Sequence, residues 1–171
     1  LELGGKSPNV VFADADLDKA VPGAAMACYA NSGQICAAGT RLFVQRSIVD
    51  DFTERLVGFT KGLRLGNGLE EDVDLGPLIS HRQMDRVLGY MQRGAEDGAR
   101  LAIGGGRLQG DLAGGFFVEP TIFTNATNDM TIAREEIFGP VVTIIPYKDE
   151  EDAVRIANDT DYGLSAVVFG A

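Results

Sequence analysis

Short apolar runs alternate along this chain with stretches whose apolar residues recur at helical spacing, and no other feature narrows the possible folds as much. The runs are NVVFA, TRLFVQRSI, FFVEPTIF, PVVTIIPY and GLSAVVFG, each rich in β-branched or aromatic residues and close to turn formers. Strands interleaved with helices imply an α/β domain built on a largely parallel sheet. At 171 residues the chain suffices for one domain with a sizeable core. It contains no internal repeat or low-complexity segment.

The local signals place the elements. A strand is expected over Val10–Ala13, then a helix begun by Asp14 or Asp16, whose carboxylate can accept from the first free helix amides. Pro22 is best tolerated in a first turn. The helix runs through AAMACYA to about Asn31, and Gly33 ends it in left-handed geometry. Phe52, Leu56, Phe59 and Leu63 mark an amphipathic helix, followed by the long acidic loop RLGNGLEEDVDLGPLIS. Ser80 and Gln83 have the spacing of a capping box, and the next helix should bury Met84, Val87, Leu88, Met91 and Ala95. Its first turn holds His81 on the polar side. Gly104, Gly105 and Gly106 match neither G-x-G-x-x-G nor the Walker spacing, so they read as a connection between strands.

Charge and cysteine usage remove several function classes. A net charge of −10 argues against nucleic acid or an anionic membrane as partner, since either needs clustered Lys and Arg. The acidic runs Glu70 to Asp74 and Asp149 to Asp152 read as solvated loop or helix-start residues without calcium-loop spacing. No apolar run is long enough for a membrane span, and no signal peptide is visible. Two cysteines eight positions apart suggest reduced thiols and a cytoplasmic setting. One histidine and two cysteines cannot assemble a usual zinc site, so no metal is expected. The chain opens on LELGGKSP without Met and closes on SAVVFGA, which reads as a fragment.

Three segments offer candidates for chemistry. In NSGQICAAGT, Cys36 sits among small residues on a loop after a helix end. It is either an exposed nucleophile supported by backbone amides or a packed small residue. Cys28, inside a helix, is most simply core. With no plausible histidine base, the nucleophile would look to a carboxylate. Glu2 lies between Leu1 and Leu3, where desolvation would raise its pKa toward base range, unless it simply faces water. In REEIFGPV, Glu135 or Glu136 could accept from sugar hydroxyls, or the segment is a surface turn.

Together and in this order, LELGGKSP, GQICAAGTR and EEIFGPV resemble the glutamate, cysteine and third signatures of the aldehyde dehydrogenase superfamily. LGPLIS, GGFFVEPTIF and YGLSAVVF resemble further family segments, so the likeness spans residues 1–171. The resemblance implies a three-layer α/β/α catalytic domain, with the N-terminal cofactor-binding region and the C-terminal oligomerisation segment absent. It implies Cys36 as the nucleophile forming a thiohemiacetal and then a thioester, and Glu2 as the base that activates hydrolytic water. The 34-position separation of these two agrees with the family's spacing. It implies Glu136, Phe138 and Gly4 as cofactor-binding residues, with Glu136 holding the nicotinamide ribose, and the Cys36 N–H as one oxyanion donor. The cofactor would be NAD or NADP, the substrate a small aldehyde, and the full-length protein a homodimer or homotetramer. Two alternatives stand beside this: a CoA-acylating semialdehyde dehydrogenase, disfavoured by Glu2, and a non-catalytic structural relative.

Overall fold

The computed structural model describes residues 3–171. Strands β1 (Pro8–Val11), β2 (Arg41–Gln45), β3 (Arg100–Ile103), β4 (Thr121–Thr124), β5 (Val141–Tyr147) and β6 (Val167–Phe169) form one sheet. Their order is β3-β4-β5-β2-β1-β6, parallel throughout except for the antiparallel edge pair β3 and β4. Helices α1 (Leu17–Tyr29), α2 (Val49–Lys61), α3 (His81–Glu96), α4 (Thr131–Arg134) and α5 (Glu150–Asn158) cover both faces.

Residue alternation along the strands explains the three layers. Val11, Leu42, Val44 and Ile144 pack with Ala24 and Cys28 of α1 and Phe52 and Leu56 of α2. Val10, Phe43 and Ile145, one position out of step, pack with Met84 and Val87 of α3, Ile132 of α4 and Ile156 of α5. Successive side chains point to opposite faces, so a strand covered twice must be apolar at nearly every position. That is why these segments read as continuous apolar runs.

The differences from the expected boundaries have local causes. The first strand occupies Pro8–Val11 instead of Val10–Ala13, because the Ala13 N–H donates to Gln45 Oε1 and the chain leaves the sheet. Of the two candidate caps, Asp16 begins α1, accepting from the Asp18 N–H at 3.1 Å. Pro22 lies past the first turn, and the helix continues because its Ala20, Val21, Ala24 and Ala25 face is packed. α1 stops at Tyr29, and Asn31, Ser32 and Gly33 all take positive φ, at 51°, 55° and 71°. Leu63 lies beyond the end of α2, only partly buried against the core. Ala95 is exposed, and Gly94 takes the packed position: a Cβ there would approach Ile132 to 2.9 Å. Gly104 to Gly106 connect β3 to β4 as expected. Among the described residues, no helix is long and apolar enough to cross a membrane.

Candidate active site

The sheet register brings the candidate segments together. β1, β2 and β5 are adjacent and parallel, with Pro8 opposite Arg41 and Arg41 opposite Thr143. Their amino ends therefore lie side by side, and the segments leading into them (residues 3–7, 34–40 and 135–140) must meet. Open α/β sheets commonly bind ligands beyond the carboxyl ends of their strands. Here the candidates gather at the opposite edge.

Cys36 stands at the tip of a tight turn, in which the Ala38 N–H donates to the Ile35 carbonyl at 3.0 Å. Its side chain is exposed, whereas Cys28 is fully buried and its thiol is pushed up to about 12 by burial. The turn rests on α1 through the Gly39 N–H, which donates to the Ala27 carbonyl at 2.9 Å. Flanking residues are tied down as well. Gln34 Oε1 accepts from the Ile79 N–H, and Ser32 Oγ donates to the Gly76 carbonyl at 2.7 Å. The nearest end of α1 is its carboxyl end, where partial negative charge gathers, so the helix dipole offers a thiolate no support. Among the described residues, no backbone carbonyl takes the Cys36 N–H.

The glycine pair of LELGGKSP now has a reason. A Cβ on Gly5 would come within 1.9 Å of the Cys36 carbonyl oxygen, and one on Gly4 within 2.9 Å of Glu136 Oε2. Only glycine allows so close an approach of backbone to its neighbours. The Gly5 N–H donates to Glu136 Oε1 at 2.9 Å, across 131 positions of sequence. Leu3, Gly4, Gln34, Ile35, Cys36, Glu136 and Phe138 line one open pocket of about 510 Å³. Cys36, Glu136, Phe138 and Gly4 are thus neighbours. Glu135 is not among the lining residues; its carboxylate accepts from the Tyr90 hydroxyl at 2.6 Å. Glu2 lies outside the described residues. His81 is exposed and pairs with Asp85 at 2.9 Å, as its polar-side position suggests.

Other side chains support the site from behind. Arg41, fully buried, donates from Nε to the Lys6 carbonyl at 2.8 Å. Its Nη atoms donate to the carbonyls of Ile156 and Ala157 and to Asn128 Oδ1. It thereby ties the start of β2 to the segment before β1 and to the end of α5. Burial lowers its pKa to about 10. Lys6 is buried too, and its Nζ has no partner among the described residues. Desolvation pulls its pKa down to about 7. Arg41 closes the GQICAAGTR motif, but nothing in the sequence marks it as an internal brace.

Gln83 departs from the capping-box expectation. Ser80 Oγ accepts from the Gln83 N–H at 3.2 Å, but the Gln83 side chain turns away from Ser80 and donates to the carbonyls of Ile137 and Phe138. The S-x-x-Q pattern fits either use, so the sequence could not distinguish them.

A family model described as "Aldehyde dehydrogenase family" matches residues 1–171. The chain belongs to the aldehyde dehydrogenase family. It is 50% identical over 173 residues to a betaine aldehyde dehydrogenase of Brucella anthropi, covering 100% of this chain and 35% of that protein. A betaine aldehyde dehydrogenase of Mesorhizobium japonicum is 52% identical over 171 residues, covering 99% of this chain and 35% of that protein. Among solved structures, a Staphylococcus aureus betaine aldehyde dehydrogenase in complex with NAD+ superposes with a TM-score of 0.98 at 44% identity. That match covers 99% of this chain and 34% of the other. The chain thus spans about a third of the length of these aldehyde dehydrogenases. The three-layer α/β fold expected of the family is the fold observed.

Proposed function

We propose that residues 1–171 are the catalytic domain of an NAD(P)-dependent aldehyde dehydrogenase that oxidises a small aldehyde to its carboxylic acid. The observation that carries this reading is the shared pocket. An exposed thiol on a turn and a carboxylate held by a backbone amide line it together, although they come from segments far apart in sequence.

The residues present fit a nicotinamide dinucleotide. Glu136 is fixed through one oxygen on the Gly5 N–H, and its other oxygen lies over Gly4, where a Cβ would intrude. Such a carboxylate can accept from ribose hydroxyls, with Phe138 forming an adjacent wall of the pocket. NAD(P)+ would supply the hydride acceptor when bound.

The chain's own groups do the rest. Cys36 attacks the aldehyde carbon as thiolate, forming a C–S bond while the carbonyl oxygen takes up negative charge. Small neighbours leave room for the tetrahedral centre, and the Cys36 N–H stands ready to donate to that oxygen. Loss of hydride leaves a thioester on Cys36. Glu2 takes a proton from water, whose oxygen attacks the thioester carbonyl and releases the acid and the thiol. The role of Glu2 rests on its place in the LELGGKSP motif. Betaine aldehyde, named for the relatives, is the first substrate to try. For the full-length enzyme the reading keeps the cytoplasmic homodimer or homotetramer that the family resemblance implies.

The deciding measurement is pre-steady-state NADH formation in the full-length enzyme. Glu2→Gln should keep a burst stoichiometric with active sites but lose steady-state turnover, and Cys36→Ser should lose both. A Glu2→Gln enzyme with an unchanged steady-state rate would remove the base assignment. Acceleration of turnover by coenzyme A would instead favour the acylating alternative.

A further inference from the structure

We propose that the pocket between the amino ends of β1 and β6 and the end of α5 binds a small free carboxylate, and that this occupant opposes the nicotinamide cofactor. The coupling to the cofactor rests on the functional reading above, whereas the carboxylate site does not.

The pocket measures about 340 Å³. Lys6 and Ser7 enter it from the segment before β1, Asn158 from the end of α5, and Thr160, Tyr162 and Ser165 from the loop leading to β6. Each of these six carries an ammonium, a hydroxyl or an amide, and among the described residues no Asp or Glu lines the pocket. That wall runs against a chain with 25 Asp and Glu to 15 Lys and Arg. Four other pockets each include at least one Asp or Glu.

Two of the six are buried without a partner. Lys6 and Ser7 are 1% and 2% exposed, and neither Lys6 Nζ nor Ser7 Oγ is hydrogen-bonded among the described residues. An ammonium held out of water without a partner is costly, and an anion beside it offsets that cost. The charged and titratable groups facing Lys6 are Cys28 of α1, Arg41 of β2, and Glu135 and Glu136 from the segment before β5. Tyr162 adds a phenol to the pocket wall. Both glutamates are engaged elsewhere, Glu136 with the Gly5 N–H and Glu135 with the Tyr90 hydroxyl. The carboxyl end of α5 would repel an anion through its free carbonyls. Arg41 donates to those of Ile156 and Ala157, so that edge already meets positive charge.

The pocket backs onto the candidate active site. A Cβ on Gly4 would approach the Tyr162 ring to 3.2 Å and Glu136 Oε2 to 2.9 Å, and one on Gly5 would approach Leu164 to 3.4 Å. Tyr162 and Leu164 line this pocket, whereas Gly4 and Glu136 line the pocket of Cys36. A single backbone segment therefore separates the two. A carboxylate held at Lys6 adds negative charge behind that wall, against an anionic dinucleotide in front of it, and Coulomb repulsion makes them antagonists.

The test titrates the full-length enzyme with acetate, using chloride at matched ionic strength as the control. Calorimetry should show one site with Kd on the order of 1–10 mM. Binding should weaken about five- to tenfold from pH 7.5 to 8.5, because Lys6 is neutral above about pH 7 unless an anion holds its proton. Saturating acetate should raise KM for NAD(P)+ about fivefold and leave KM for the aldehyde unchanged. Lys6→Met should abolish binding and inhibition while the NADH burst persists, and Ser7→Ala should weaken binding about fivefold. If Lys6→Met does not fold, Lys6→Arg should keep acetate binding and lose its fall with pH, since a guanidinium stays charged. Acetate that competes with the aldehyde, or that binds Lys6→Met as well as wild type, would overturn the site. So would a wild-type enzyme that takes up no acetate, the result expected if an acidic side chain from the rest of the enzyme fills the pocket. Acetate bound through Lys6 with an unchanged cofactor KM would overturn the coupling. An enzyme that forms no NADH would remove the functional reading and leave the binding result standing.

Discussion

Replacing Gly33 with alanine tests whether the cysteine turn is held by backbone contact. Gly33 has φ of 71°, and a Cβ there would lie 2.1 Å from the Gly139 carbonyl oxygen. The conformational penalty for a residue with a side chain in that region is about 1–2 kcal/mol. The contact involves backbone on both sides, so no side chain can swing away, and relieving it should cost about 1–3 kcal/mol more. A loss of about 2–5 kcal/mol follows, or on the order of 5–15 °C in Tm for a domain of this size. Gly58→Ala is the matched control. Gly58 lies inside α2 with nothing within 4 Å of its would-be Cβ, so alanine there should stabilise by about 0.5–1 kcal/mol. Urea unfolding of both variants supplies the comparison, and alkylation of Cys36 by iodoacetamide reports on the turn. Gly33→Ala should also alter that alkylation rate, and Gly58→Ala should leave it alone. Shifts of the same sign and size in the two variants would refute the argument from backbone contact.

Lys6 makes stability depend on pH in a defined direction. Burial lowers its pKa from 10.5 to about 7, so between these values the unfolded chain binds more protons and stability rises with pH. The slope contributed is at most about 1.4 kcal/mol per pH unit. Cys28, raised from 9.0 to about 12, acts with opposite sign once pH exceeds 9, which leaves pH 7 to 9 as the clean window. Urea midpoints across that window should rise more steeply for wild type than for Lys6→Met, and parallel profiles would dismiss the effect. Arg41→Met should cost about 2–4 kcal/mol, because the buried Lys6 carbonyl and the part-buried Ala157 carbonyl lose this donor and the Ile156 carbonyl keeps only the Asn128 amide at 3.3 Å. Arg41→Lys should recover little, since one ammonium cannot span the same fan of acceptors; wild-type stability in that variant would contradict the account.

Much of the fold was legible because the sheet is covered on both faces. A strand such as PVVTIIPY has to be apolar at nearly every position, and helices that shield it have to carry an apolar stripe, so both leave a mark in local sequence. Helix starts were readable where a side chain caps its own neighbours, as at Asp16, Ser80 and Asp149. Boundaries failed where a distant group decides them. Ala13 leaves the sheet on account of Gln45, and Gly94 displaces Ala95 from the packed face on account of Ile132.

The site divides in the same way. Sequence by itself picked out Cys36 as an uncrowded thiol, separated it from Cys28, and marked Gly4, Glu136 and Phe138 through their motifs. Tertiary structure decided what those motifs touch. Parallel pairing of β1, β2 and β5 aligns the amino ends of strands whose lead-in segments lie far apart in the chain. Only then does the Gly5 amide reach Glu136, and only then does Gly33 meet Gly139. Gln83 and Arg41 show the limit most clearly. A side chain's reach is local, but which carbonyl waits at its end depends on how separate elements pack, and no window of sequence contains both partners.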